Sequence, residues 1–258
     1  MHKEVKGLVL RTTDISESDR MLTVYTEEEG IISAYSRGSR SLKSRNMSAT
    51  MQFCYSSFVL YERQERLSVK ESVLIESFFG LRDSIEGLAL AGYICDVLSE
   101  VGTADAEPEL LRLALNSLYA IANKRADIEK IKAVFEVRVA TILGFMPDIT
   151  ECTSCGEREG DFYLDIMAGQ ALCRECYRKS ERMQTTISGE HESHIISILS
   201  PSAKVAFNYA IYAPLERLFS FNIPEEDLHL FRSASESYLL NHLERGFKTL
   251  DFYNEVKR

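Results

Sequence analysis

Six cysteines stand in a chain of 258 residues, and four of them form two pairs at one short spacing, Cys152-x-x-Cys155 and Cys173-x-x-Cys176, 17 residues apart. A Cys-x-x-Cys turn lets two thiolates reach one ion, and a second such turn completes a tetrahedron. The spacing therefore reads as a zinc ribbon or knuckle. Gly156, directly after the first pair, gives the backbone room for a tight turn. Phe162-Tyr163-Leu164 and Ala171-Leu172 have the apolar character of two short strands that bring the pairs together. Four thiolates leave no open coordination position, so the ion is expected to be structural and not to activate water. The competing reading is four free thiols or a redox pair. Cys54 and Cys95 read as small buried hydrophobes. His191 and His194 have the i, i+3 spacing of two ligands on one helical turn but lack the His-Glu-x-x-His pattern. They read as solvated polar residues early in a helix.

The second chemistry is cationic. Arg37-Gly-Ser-Arg40-Ser-Leu-Lys43-Ser-Arg45 places four cations in nine residues, with no acid between positions 37 and 52. Small residues between the cations let the chain follow a phosphate backbone closely, while guanidinium forks grip phosphate oxygens. Four such contacts predict a log affinity for single strands that falls with log salt at a slope of roughly −3. Tyr35, Phe53 and Tyr55 lie nearby and could stack on bases where exposed; taken singly they read as barrel core. A solvated loop is the plain alternative for the run of cations. The net charge of −9 argues against nucleic acid only if it is spread evenly. Residues 1–80 hold 11 basic and 11 acidic side chains, so that part is neutral and the remainder carries the whole negative charge. With a Debye length of about 8 Å, the local field decides what binds.

The elements that must position these groups change character along the chain. Residues 5–12, 21–26, 31–37, 53–61 and 67–75 read as strands, short and rich in Val, Ile, Leu, Tyr, Phe or Thr, separated by polar turns. Gly30 supplies the positive φ that a tight turn between the second and third needs. Five strands in about 75 residues is the count of an OB-fold. An SH3-like barrel has the same count, and the count alone does not separate them. From residue 78 the apolar period becomes helical. Leu81, Ile85, Leu88, Ile94, Val97 and Val101 form one stripe. Pro108 opens a second helix, and Asp127 caps a third whose stripe runs through Ile131, Phe135 and Val139. After the cysteines, helices are predicted over 188–199, 203–212 and 224–245. The fold class is thus α+β and multidomain: a barrel over 1–77, a helical domain over 78–149 and 183–258, and a cysteine knuckle over 150–182 inserted in it.

The totals narrow the class further. No apolar stretch approaches the ~18 residues that cross a bilayer, and the N-terminal residues lack a secretory pattern. Paired cysteines at metal spacing suit a reducing compartment, so a cytoplasmic protein without membrane contact is expected. The sequence contains no phosphate-binding Gly-x-x-x-x-Gly-Lys loop, no nucleophile elbow and no open-site metal motif. Two rivals to a non-enzymatic DNA binder stay open: a metal-dependent nuclease built from scattered carboxylates, and a protein-only zinc adaptor.

Over its whole length the sequence resembles the RecO family of bacterial recombination mediators. The marks are Gly7-Leu-Val-Leu-Arg11, Glu17-Ser-Asp-Arg20, Leu22-Thr-Val-Tyr-Thr-Glu27, the Arg37-Gly-Ser-Arg40 turn with Lys43-Ser-Arg45, Leu60-Tyr61, Phe135-Glu136, Leu143-Gly144-Phe145, Leu250-Asp-Phe and the two Cys-x-x-Cys pairs. The resemblance implies an N-terminal OB domain, a helical C-terminal body, and the zinc knuckle that many members carry. It implies a protein without catalytic turnover in the bacterial cytoplasm, associated with the nucleoid. Such a protein binds single- and double-stranded DNA, anneals strands, partners RecR, and docks the acidic, hydrophobic tail of single-stranded-DNA-binding protein. In this way it helps RecA load onto covered DNA. Carried onto this chain, Arg37, Arg40, Lys43 and Arg45 are the main DNA contacts. Arg11 and Arg20 are secondary candidates, with an ion pair to Glu17 or Asp19 as their other reading. Lys132 or Arg138 would supply a cation for the docked tail.

Overall fold

A computed structural model describes residues 2–187 and 194–257. By packing, the chain divides into two compact units, one of residues 1–123 with 247–258, the other of residues 124–246.

In the first unit, five strands, β1 (His2–Asp14), β2 (Arg20–Thr26), β3 (Gly30–Ser36), β4 (Tyr55–Arg63) and β5 (Arg66–Glu76), close into a barrel. Their order round the barrel is β1-β2-β3-β5-β4, and β4 closes on β1. A simple meander would set β4 beside β3. Here β5 lies there instead, parallel to β3, with Ala34 opposite Leu67 and Tyr35 opposite Ser68. That Greek-key closure makes the barrel an OB-fold and resolves what strand count left open. Alternation along each strand sends Val5, Val9, Leu22, Val24, Ile32, Ala34, Phe58, Leu60 and Val69 inward to one core. β1 is long because it serves two neighbours, β4 through its first half and β2 through its second, with a bulge between Val9 and Arg11. Leu8 and Leu10 are as buried as the inward residues, and α1 (Ile85–Val101) packs against β1. Gly30 has φ +61°, and a Cβ there would meet the Thr103 carbonyl at 2.1 Å, so both the turn and the packing require glycine.

Within the same unit, Ser84 caps α1 by accepting from the Gly87 N–H, and Pro108 opens α2 (Pro108–Ala122). The C-terminal helix α7 (Lys248–Val256), not anticipated from the sequence, returns to α1. Phe247 meets Tyr93 edge-on at 5.6 Å, and the Thr249 hydroxyl donates to Asp96 at 2.9 Å.

The second unit is organised by α3 (Ile128–Ile142), where residues 131–140 are buried on every side. Asp127 caps it through the N–H groups of Glu129 and Lys130. The helix α5 (Pro201–Tyr212) packs against it, as does α6 (Glu225–His242), whose first turn holds Glu225, Glu226 and Asp227 at the positive end of the dipole. A three-stranded sheet, β7-β6-β8, is built from β6 (Phe162–Asp165), β7 (Gln170–Cys173) and β8 (Ile196–Leu199). The helix expected over 188–199 is therefore corrected: Ile196–Leu199 pairs with β6 as a strand, and residues 188–193 lie outside the described residues. Four apolar or small residues in a row fit a short strand as well as one helical turn, and the free edge of β6 decided between them. An amphipathic helix, α4 (Arg174–Ile187), follows β7 directly. Among the described residues, no helix is long and apolar enough to cross a membrane.

Candidate nucleic-acid interface and candidate metal centre

The segment after β3 turns at Gly38, whose φ of +66° favours glycine, and runs as a series of tight turns to Thr50. One carboxylate holds its base. Asp19 accepts from the Tyr35 hydroxyl at 2.5 Å, the Gly38 N–H at 2.7 Å and the Ser18 hydroxyl at 2.8 Å. The Tyr35 hydroxyl and then the Gly38 N–H hold the Asp19 carboxyl well below the usual carboxylate range. Further along, Asn46 accepts from the backbone N–H and hydroxyl of Ser72, which lays the far end of the loop along β5.

This framework sorts the cations. Arg37, Lys43 and Arg45 are exposed, and none of them makes an ion pair among the described residues. Arg40 instead bonds back to the Asp14 carboxylate at 3.3 Å and to the Ser16 carbonyl. Arg20 shares Asp14 at 3.3 Å, and Arg11 pairs with Asp96 at 3.2 Å. The ion pairs read for Arg11 and Arg20 thus form, but with Asp96 and Asp14 in place of Glu17 and Asp19. Of the nearby rings, Phe53 is buried and Tyr55 is half-buried with its hydroxyl on Glu27, while Tyr35 remains half-exposed at the loop base. Asp14 and Asp19 organise the basic segment without being cationic themselves. The sequence signal for Asp19 was its place in Glu17-Ser-Asp-Arg20.

In the second unit, the Sγ atoms of Cys152, Cys155, Cys173 and Cys176 all lie within 4.8 Å of one another. Cys155 and Cys173 stand 3.8 Å apart, the edge of a tetrahedron with bonds of about 2.3 Å to a central zinc-sized ion. The first pair sits on a turn closed by Gly156 N–H to Cys152 C=O at 2.8 Å, with Gly156 at φ +76°. The second pair spans the end of β7 and the first turn of α4. Burial opposes the charged form of Cys152, yet the N–H groups of Cys173, Ser154 and Cys155 outweigh it and pull its thiol down to about 6. The Glu157 N–H favours a thiolate at Cys155, but sharing with the sulfurs of Cys176 and Cys152 pushes that thiol up to about 12. Four such sulfurs ionise together only around a cation, and the soft donor set fits a thiophilic metal ion. Lys204, itself buried, fastens the knuckle to α5. Its ammonium donates to the carbonyls of Arg158 and Thr150 and lies 3.7 Å from the Phe162 ring centroid. His194 Nδ1 lies 2.7 Å from Asp165 Oδ2, and its sequence partner His191 is outside the described residues.

Lys132 and Arg138 do not offer a cation to a docked chain, which corrects the expectation for them. Lys132 is fully buried, 2.7 Å from both Glu136 and Glu236. Burial opposes its charge, but the two carboxylates outweigh that and raise its pKa. Arg138 is buried with its guanidinium on the carbonyls of Ile211 and Ala213. Both lie in the stretch of α3 that is buried all round, so their partners come from within the fold: carboxylates for Lys132 and backbone carbonyls for Arg138.

Family models and relatives match the chain over nearly its whole length. Residues 1–78 match the family model described as Recombination protein O N terminal, and residues 82–192 the one described as Recombination protein O C terminal. The chain is 30% identical over 258 residues to the DNA repair protein RecO of Acetivibrio thermocellus, which spans 99% of this chain and 97% of that one. It is 26% identical over 254 residues to the DNA repair protein RecO of Bacillus pumilus, covering 98% and 93% of the two chains. With the DNA repair protein RecO of Clostridium kluyveri it shares 32% identity over 180 residues, or 69% and 70%.

Proposed function

The chain belongs to the RecO family of DNA repair proteins, and from that premise we propose that it is a non-catalytic recombination mediator. It binds single- and double-stranded DNA through the basic end of its OB barrel and anneals complementary strands. With RecR, it helps RecA load onto DNA coated with single-stranded-DNA-binding protein. The observation that carries the reading is the state of Arg37, Lys43 and Arg45: three exposed cations on a loop held at its base by Asp19, with no carboxylate among the described residues taking their charge. Phosphate is the anion such a loop fits, because guanidinium forks pair with phosphate oxygens and the small residues between them let the backbone approach. Arg40, Arg20 and Arg11 are secondary contacts whose carboxylate partners must be displaced first.

The tetrathiolate site holds zinc in a structural role, since a closed set of four sulfurs gives the ion no place for water or substrate. The tail of single-stranded-DNA-binding protein docks on the helical body at a cation other than Lys132 or Arg138. The protein then acts at the bacterial nucleoid, where its substrate is.

Binding to a labelled oligonucleotide, titrated with salt, tests the reading. Three free cations give a slope of roughly −2 in log affinity against log salt for single strands, at about 0.7 per contact. Affinity that does not respond to salt, or no binding at low salt, refutes it. Incubation of the purified protein with Mg²⁺ and DNA should leave the strands intact. Cleavage that copurifies with the protein would favour the nuclease reading.

A further inference from the structure

The outer face of the barrel carries a row that the basic loop does not explain. Across four adjacent strands, strand register places Tyr35 (β3) opposite Ser68 (β5), Ser68 opposite Tyr61 (β4), and Tyr61 opposite His2 (β1). Residues paired across strands share a face. Their chain neighbours Ala34, Leu60 and Val69 point into the core, so this row points out. His2 is exposed, while Tyr35, Tyr61 and Ser68 are partly so. The His2 and Tyr61 rings lie 5.2 Å apart, and the Lys70 ammonium stands 5.1 Å from the Tyr61 ring centroid. At about 4.8 Å per strand, Tyr35 and Tyr61 are about 10 Å apart, with only the short Ser68 between them.

The charges round the row are asymmetric. Arg63 is exposed at the end of β4 and Arg66 and Lys70 in the first half of β5, outnumbering the exposed Glu62 and Glu65 of the same hairpin, and Arg37 follows Tyr35 by two residues. The next row on the same face sets Glu71 and Glu4 on either side of Val59, so it repels phosphate.

We propose that the row Tyr35–Ser68–Tyr61–His2 is a stacking platform for the unpaired bases of single-stranded DNA, led onto it by Arg37 and bordered by Arg63, Arg66 and Lys70. Aromatic faces accept any base, whereas bases inside a duplex keep their faces covered by their neighbours. The platform therefore adds single-strand preference to a loop that grips phosphate in either form. It rests on the reading of the barrel as the DNA-binding unit.

The test compares Tyr61→Leu and Tyr61→Phe with the unaltered protein on a labelled oligothymidine and on a duplex of equal length. Tyr61→Leu should lower single-strand affinity about tenfold, within the range of one lost base–aromatic contact. Duplex affinity and the salt slope should stay as they were. Tyr61→Phe should bind single strands within about twofold of the original. A 5-iodouracil oligonucleotide irradiated with the unaltered protein should leave its adduct on Tyr61, Tyr35 or His2, a readout that stands even if a variant fails to fold. Equal single-strand binding by Tyr61→Leu, equal losses on both forms of DNA, or adducts confined elsewhere would each overturn the platform while leaving the loop reading intact. An unaltered protein that binds neither form would remove both.

Discussion

The cations of residues 37–45 and those of α3 are the same residue types set in opposite surroundings. On the barrel, Arg37, Lys43 and Arg45 are exposed on a loop whose base is tied down by Asp19, and no carboxylate among the described residues pairs with them. In α3, Lys132 is fully buried between Glu136 and Glu236, with Ser235 donating to Glu136 at 3.0 Å. The first arrangement costs little in water and leaves the charge available to an outside anion. The second exists only because each charge is cancelled inside. A cation announces a binding surface when the fold withholds its partner, and a structural core when the fold provides it. The cysteine knuckle is the mirror image of the loop: four thiols gathered by the fold within 4.8 Å of one another, close enough for one metal ion to compensate them from outside.

That contrast can be broken at several points. The largest effect is expected at the knuckle, where zinc binding is worth of order 10–16 kcal/mol in small zinc peptides. A strong chelator, or Cys173→Ser, should abolish metal content measured by atomic absorption and open residues 150–176 to protease. Oligonucleotide binding by the barrel should persist, and its loss would mean that the two chemistries are coupled. Next comes Lys132→Met, which leaves Glu136 buried without its cation and should cost about 3–5 kcal/mol in denaturant unfolding. Because the pKa of Lys132 is raised, its contribution is complete at every pH below the ordinary lysine value. It fades only as pH rises through the raised value, so the unfolding free energy of the unaltered protein should be insensitive to this group at neutral pH. DNA affinity measured below the melting range should not change in this variant.

A smaller effect separates the loop cations from one another. Replacing Arg37, Lys43 and Arg45 together by alanine should flatten the salt slope by roughly 2 and weaken single strands and duplexes alike. Arg40→Ala should do much less, because Asp14 already holds that guanidinium. The smallest and most diagnostic change is Asp14→Ala. It frees Arg40 and Arg20 and should steepen the slope by up to roughly 0.7 for each, with a modest gain in affinity. A loss of affinity would show that Asp14 positions the arginines for DNA and does not compete for them.

Much of this was legible in residue order. The Cys-x-x-Cys spacing led to four sulfurs within reach of one ion, because two such turns leave few other ways to satisfy the thiols. Short runs rich in β-branched, aromatic and other apolar residues gave the barrel strands, and the cap residue Asp127 and the first-turn Pro108 gave the helix starts, since these are local effects. The expected helix over 188–199 failed at Ile196–Leu199 because a run of four residues carries too little period to outweigh an open sheet edge. The returning helix α7 was missed for a related reason, since its apolar face is defined by α1, about 150 residues earlier in the chain.

The amino-acid sequence by itself determined which groups this protein carries and how they cluster along the chain: four thiols at metal spacing, four cations without an acid among them, strands followed by helices. Those follow from spacing and periodicity, which are properties of neighbours in the chain. Only the tertiary structure decided which charges are free. Arg40 is bound to Asp14, Lys132 to Glu236 and Arg138 to the carbonyls of Ile211 and Ala213, and each of these partners is distant in sequence. The row from Tyr35 to His2 likewise exists only through strand pairing. Electrostatic compensation and shared sheet faces depend on distance in space, and the chain order fixes that distance only after the barrel has closed and α3 has been enclosed.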